Sequence, residues 1–292
     1  MQSNKERRVE SWNLMWKGGW FFRLFAIGLI FTMINFGVQT MTSVAYTISS
    51  ISDVQTVQAE VASARKENRE PNIERSPYYV LHVVGATMFE LFILWIVAAI
   101  GKFGTARAHL RAARHEDKST AFDGVFAGFR MPLGMWWLFV REIVQIMLWS
   151  CLLYIPGIIA FYRYILAWFV KSDHSDWSAG KCLAESGRLM KGEKWNLFLF
   201  QCSFWRQVLV IAIPLFAGYA AVVGIILSAI AAKDGESAVC YLIILACSLV
   251  VVVALLAFIA LVAVFSTQVT LGTAIFYREL VARDARAAGI PE

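Results

Sequence analysis

No charged residue occurs from Val208 to Ala231, and none from Val239 to Phe265. About 20 consecutive apolar residues are enough for a helix to cross the hydrocarbon core of a bilayer. Within that core there is no water to bond the backbone, so only a helix or a closed barrel satisfies its N–H and C=O groups. A barrel strand alternates apolar and polar residues, whereas these runs are continuous. The chain therefore reads as all-α: a polytopic helical membrane protein, one integral membrane domain over 1–292. Composition agrees, with 59% hydrophobic and 16% charged residues, against about 45–50% and about 25% in a soluble domain.

Six spans are expected, at 20–40, 79–101, 132–153, 157–170, 207–231 and 239–265. The first is preceded by a basic segment in which Trp12, Trp16 and Trp20 share a helical face, as an interfacial helix over 5–19 would have them. A cleaved leader ending near Ala45 is the rival reading of this region. A second interfacial helix is expected at 103–115, where Arg107, Arg111 and Arg114 fall on one face. Between spans three and four the run is interrupted at Ile155-Pro156-Gly157. Proline lacks the N–H and disfavours helix at the residue before it, so a tight hairpin turn is expected there.

After the polar connector Ser172-Asp173-His174-Ser175-Asp176 comes a third amphipathic segment, 178–192. Ser178 suits its N-cap and Gly192 its C′ position. Cys182, Leu183, Ser186, Leu189 and Met190 line one side, and Lys181, Glu185, Arg188 and Lys191 the other, the pattern of a helix lying in the membrane surface. Span five carries Pro214, where a kink is expected. Lys233-Asp234-Gly235-Glu236 reads as a short outer turn.

The basic residues fix the expected orientation. The segments taken as inner hold 18 Lys and Arg, the outer ones 5. By the positive-inside rule both termini are then cytoplasmic. The formal net charge of +6 is carried on segments that flank spans. It points to anionic lipid headgroups as partner, not to nucleic acid.

The central stretch resembles a bacterial family of integral membrane proteins known as domain of unknown function 975. The resemblance is carried by Leu148-Trp149-Ser150, Ile155-Pro156-Gly157-Ile158, Ser186 through Leu189-Met190-Lys191-Gly192 to Lys194-Trp195, Leu197-Phe198 and Ser203-Phe204. Phe122-Asp123-Gly124-Val125-Phe126 and Ala274-Ile275-Phe276-Tyr277 are similar to further family elements. Lys181 departs from the family, which often has Glu at that position. The resemblance implies a helical protein of the bacterial cytoplasmic (inner) membrane and no particular activity.

Ionisable groups at membrane depth are costly and mark candidate sites. Glu90, Arg141, Glu142 and Arg163 are those groups here, read either as a polar pathway or as structural pairs, Glu142 with Arg163 or Glu90 with Arg141. Lys181, Arg188, Lys191 and Lys194 are the candidates for lipid headgroups or a cytosolic partner. The histidines (His82, His109, His115, His174) lack metal-ligand spacing, the five cysteines lack a C-x-x-C pair, and no nucleotide or hydrolase motif occurs. No cofactor is implied. The functional expectation is a non-enzymatic protein that organises lipid or a partner at the inner face. A small-solute or ion transporter using the four intramembrane charges, or a membrane-embedded lipid enzyme, are the alternatives.

Overall fold

The computed structural model describes residues 2–67, 69–70, 77–116, 122, 125–231 and 238–289. The expected outer turn at 233–236, residues 123–124, Arg75, Lys118 and the side chain of His82 lie outside the described residues. The fold is all-α, and the described residues contain no strand. Its helices are α1 (Asn4–Trp16), α2 (Phe21–Lys66), α3 (Pro77–Ala113), α4 (Pro132–Leu152), α5 (Tyr154–Tyr164), α6 (Ala167–Asp173), α7 (Ala179–Leu189), α8 (Lys194–Cys202), α9 (Trp205–Ala231) and α10 (Ala238–Ala287), with a 3-10 turn at Val125–Arg130.

Five helices contain a stretch long and apolar enough to cross a membrane: Phe21–Val44, Val84–Ala113, Pro132–Leu152, Trp205–Ile230 and Val239–Ala287. Two of the parent helices far exceed that need. α2 has 46 residues and α10 has 50, or about 69 and 75 Å at 1.5 Å per residue, against a hydrocarbon core of about 30 Å. Each therefore carries its helix well past the apolar layer. The helices pair as α2 with α3, α4 with α5 and α9 with α10.

Apolar side chains divide into two populations. Along α9 and the first half of α10, Ile213, Phe216, Leu242 and Leu256 are each more than half exposed, as expected where the solvent is lipid. The other population is a dry core. It joins Met15 of α1, Phe103 and Leu110 of α3, Met135 and Leu138 of α4, Leu166 at the N-cap of α6, Leu183 of α7, Phe200 of α8 and Phe276 of α10, all at most 3% exposed. One end of the helix assembly is thus packed like a soluble domain, and close backbone approach makes this possible. A Cβ at Gly272 of α10 would stand 2.3 Å from Phe200 Cζ, so only glycine lets α8 and α10 meet there.

Several expectations are corrected. The segment 103–115 is not a separate surface helix. α3 runs through it to Ala113, and Phe103, Ala106, Leu110 and Ala113 are buried. Span four is not one helix. It breaks at Ile165–Leu166 into α5, of 11 residues, and α6, of 7. α5 is about 16 Å long, half of what a crossing needs, and α6 buries Ala167, Trp168, Phe169, Val170 and Lys171 in the core. The turn before α5 lies at Leu153, which is extended (φ −163°, ψ 148°), so Pro156 and Gly157 sit in the first turn of α5. Proline is tolerated at that position because its missing N–H would have no helical partner anyway.

The apolar side of α7 (Ala179, Cys182, Leu183, Ser186 and Leu189) is buried, with α4, α5 and α6 as its neighbours. It faces protein, not lipid, because an amphipathic pattern specifies an apolar partner without saying which. Ser178 caps α7, its hydroxyl accepting from the Lys181 N–H at 3.4 Å, while Gly192 takes φ +83° two residues beyond the C-cap at Met190. Trp20 does not share the exposed side of Trp12 and Trp16. α1 ends at Trp16, and Gly19 (φ +66°) turns the chain so that Trp20 enters the core at 2% exposure.

Candidate functional site

The last turns of α10 gather contacts from most of the dry end. Tyr277 donates to Asp173 Oδ2 at 2.8 Å, and the same carboxylate takes a two-point bond from Arg114 at 2.8 and 2.7 Å. Arg278 pairs with Glu10 at 2.9 Å and donates to the Ala113 carbonyl. Glu279 accepts Arg7 Nε and Nη2 at 3.2 and 3.1 Å. Arg283 reaches Glu193 at 2.6 Å, and Asp284 pairs with Arg188 at 2.7 Å. About two successive turns of one helix thus hold α1, the end of α3, α6, α7 and the start of α8.

Arg188, expected to meet headgroups, is engaged by Asp284 and by Glu185 at 2.6 Å. Hydrogen bonds from Arg188 hold the Glu185 carboxyl below its ordinary range, and the two carboxylates push the guanidinium in the opposite direction. Burial raises Glu193, but bonds from Asn196 and Arg283 outweigh it and leave that carboxyl lowered too. Asp173, expected in a solvated connector, is the shared acceptor of Arg114 and Tyr277. Lys171 is buried and donates to the Ser175 and Trp177 carbonyls, both at 2.7 Å.

The four intramembrane candidates do not converge. Glu142 is buried on α4, where Trp168 Nε1 donates to it at 2.7 Å and Lys102 Nζ stands at 3.3 Å. The Lys102 ammonium also lies over the Phe139 and Trp168 rings, at 5.0 and 5.7 Å. Glu90 accepts the Thr42 hydroxyl at 2.8 Å, between α3 and α2. Arg141 and Arg163 pair with neither carboxylate. Each lies against a glycine of α7, Arg141 at Gly180 and Arg163 at Gly187. The arrangement is two separate acid sites and one arginine pair, not a continuous path.

Cations on the outside are arranged differently. Lys181, Lys191 and Lys194 have no carboxylate partner among the described residues, and Lys181 Nζ stands 3.8 Å from the centre of the Trp177 ring. Nearby in sequence, Trp195 and Trp205 are 65% and 61% exposed, and Trp12 and Trp16 of α1 are 45% and 41% exposed. Trp16 stacks on Phe21 at 4.5 Å, so an exposed aromatic row crosses from α1 to α2.

The cavities are open clefts. One of about 570 Å³ is bordered by Asp173, Glu185, Arg188, Tyr277 and Asp284, whose charges are already matched within the fold. Another, of about 500 Å³, is a wholly apolar groove between α9 and α10 beside Pro214. Among the described residues, no three His, Cys, Asp or Glu side chains gather as a metal set would require.

The ion pairs at the end of α10 are not legible in the sequence, where Arg7, Arg114, Arg188, Arg278 and Arg283 count only as inner-face cations. The one available signal was the presence of Glu10, Asp173, Glu193, Glu279 and Asp284 on the same segments. Comparison with protein-family models, with curated proteins and with solved structures returns no match.

Proposed function

We propose that this multi-pass helical protein is a non-enzymatic organiser of anionic lipid at the inner face of a bacterial cytoplasmic membrane. The observation that carries this reading is the sorting of its cations. Those directed into the dry end are matched by carboxylates or carbonyls, whereas Lys181, Lys191 and Lys194 stand outside without carboxylate partners among the described residues, in a chain whose Trp195 and Trp205 are exposed. Ammonium groups gain about 1 kcal/mol each beside an anionic leaflet, and exposed tryptophan favours the headgroup level. The separation of Glu90 from Glu142 argues against the transporter and lipid-enzyme alternatives, both of which need polar groups facing one cavity.

Retention of phosphatidylglycerol against phosphatidylethanolamine by gently solubilised protein, read by native mass spectrometry, tests the proposal. Lys181→Gln, Lys191→Gln and Lys194→Gln together are expected to lower phosphatidylglycerol retention and leave phosphatidylethanolamine unchanged. Equal retention of the two lipids by the unaltered protein would sink it.

A further inference from the structure

The α4–α5 hairpin carries two arginines that meet no counter-ion among the described residues. Arg141 lies 12 positions before the extended residue Leu153, and Arg163 lies 10 after it. At 1.5 Å per residue both stand about 15–18 Å from the tip. The tip is apolar and bare, with Leu152, Leu153, Tyr154 and Ile155 between 67% and 79% exposed. Its backbone is prepared for that setting. Leu153 N–H bonds to the Trp149 carbonyl at 3.3 Å, Gly157 N–H to the Leu153 carbonyl at 3.3 Å, and Pro156 has no N–H to satisfy. A tip of this kind belongs in hydrocarbon, and half of a core of about 30 Å brings both arginines to the headgroup level of one leaflet.

α7 runs across the base of both arms. A Cβ at Gly180 would stand 2.9 Å from Arg141 Nη1, and a Cβ at Gly187 would stand 2.9 Å from Arg163 Nε. The bare backbone of α7 is what lets each arginine lie against it. The two glycines are seven residues apart, hence on one face and about 10 Å apart along the axis. Ala184 falls between them on that face. Glu142, the carboxylate next to Arg141 in sequence, is turned to Lys102 and Trp168. Among the described residues neither guanidinium has an ion-pair or hydrogen-bond partner for its nitrogens; Arg163 is 5.5 Å from the Tyr164 ring centre.

Two uncompensated guanidiniums at one depth, with a fixed separation, fit an anion whose charge is likewise divided between two centres. We propose that the base of the hairpin binds a membrane lipid bearing two phosphates joined by a short linker, the chemistry of cardiolipin. One phosphate sits on each arginine and the acyl chains lie along the exposed flank of the hairpin. The guanidinium fork matches phosphate oxygens two at a time, and basic recesses between membrane helices suit such headgroups. The linker makes the second contact intramolecular, which separate single-phosphate lipids cannot match. The proposal rests on the lipid-organising reading above and narrows it to one site and one headgroup.

The test titrates full-length protein in mild detergent with cardiolipin, phosphatidylglycerol or phosphatidylethanolamine at equal phosphate concentration and follows bound lipid by native mass spectrometry. Cardiolipin is expected to bind most tightly. Arg141→Gln and Arg163→Gln should each weaken it about fivefold, and the double variant should abolish its advantage over phosphatidylglycerol. Gly180→Ala should act in the same direction without changing any charge, since its methyl displaces the flexible end of Arg141; it carries the test if the glutamine variants fail to fold. Lys181→Gln, Lys191→Gln and Lys194→Gln together should weaken both anionic lipids and preserve their ratio. A cardiolipin preference that survives both the arginine double variant and Gly180→Ala overturns the proposal. So does equal binding of cardiolipin and phosphatidylglycerol to the unaltered protein, which leaves the broader lipid reading standing. Loss of any preference over phosphatidylethanolamine removes both.

Discussion

Arg7 in the first helix and Glu279 in the last close a two-point ion pair across 272 residues of chain, with Arg7 only 3% exposed. The guanidinium also lies 4.8 Å from the Phe276 ring centre, and Glu279 accepts the backbone N–H of Gln2 at 3.1 Å. The pair fastens α1 onto the end of α10.

Removing one partner of a buried pair leaves the other charge uncompensated, which costs about 3–5 kcal/mol. Glu279→Gln is therefore expected to lower the stability of the dry end by about that amount. Thermal unfolding in detergent, followed by near-ultraviolet circular dichroism, checks this. A loss under about 1 kcal/mol would mean that Arg7 is not held by this carboxylate.

Acid should loosen the contacts of α7 and α8 with α10. Glu185 and Glu193 have folded-state pKa values below the ordinary carboxylate value of 4.5. The stability they contribute is complete above the unfolded value and is lost as pH falls through the folded value. Arg188 is 58% exposed, so solvent screening keeps its share below about 1 kcal/mol. Hydrogen-exchange protection factors over 179–202 and 281–287, with the intrinsic pH dependence of exchange divided out, are expected to be unchanged from pH 8 to about pH 5 and to fall below about pH 4.5. Loss of protection beginning near neutrality would contradict the assignment.

Gly157 is the tightest point of the hairpin. A Cβ there would stand 2.1 Å from Ser150 Oγ and 2.9 Å from Ser150 Cα. Gly157→Ala should cost about 1–3 kcal/mol as an overpacking substitution. Adding Ser150→Gly should recover part of the loss by removing the hydroxyl while leaving the backbone contact. A double-mutant cycle on unfolding measures the coupling, and strict additivity would place the strain elsewhere.

Trp168→Phe keeps the ring and deletes the indole N–H that bonds Glu142 at 2.7 Å. A hydrogen bond to a charged group contributes about 1.5–3 kcal/mol, so a loss of that size is expected. It should shrink when Glu142 is first changed to Gln, because the bond is then no longer charge-assisted. An undiminished loss in the Gln background would show that Trp168 acts only through packing.

What the sequence determined by itself was set by properties that act over a few residues. The uncharged runs make helices long and apolar enough to cross a membrane, because no other open structure satisfies the backbone in lipid. The hydroxyl of Ser178 reaches an N–H three residues on, and Ile155-Pro156-Gly157 marks the break between two apolar segments, though the turn itself lies at Leu153. Tertiary structure alone decided what those elements meet. The apolar side of α7 has a pattern that fits lipid or protein equally, and only the arrival of α4, α5 and α6 chooses protein. The cations of α1, α3 and α10 count toward the inner face as readily when exposed as when paired. Nothing local distinguishes Arg7, matched by a carboxylate 272 positions away, from Lys191, which lacks one among the described residues. Arg141 and Arg163 show the same limit: their nearly equal distances from the tip follow from a turn at Leu153, but the glycines that receive them come from α7. Hydropathy and capping depend on neighbours in sequence and can be read from it, whereas ion pairing and close backbone approach depend on neighbours in space.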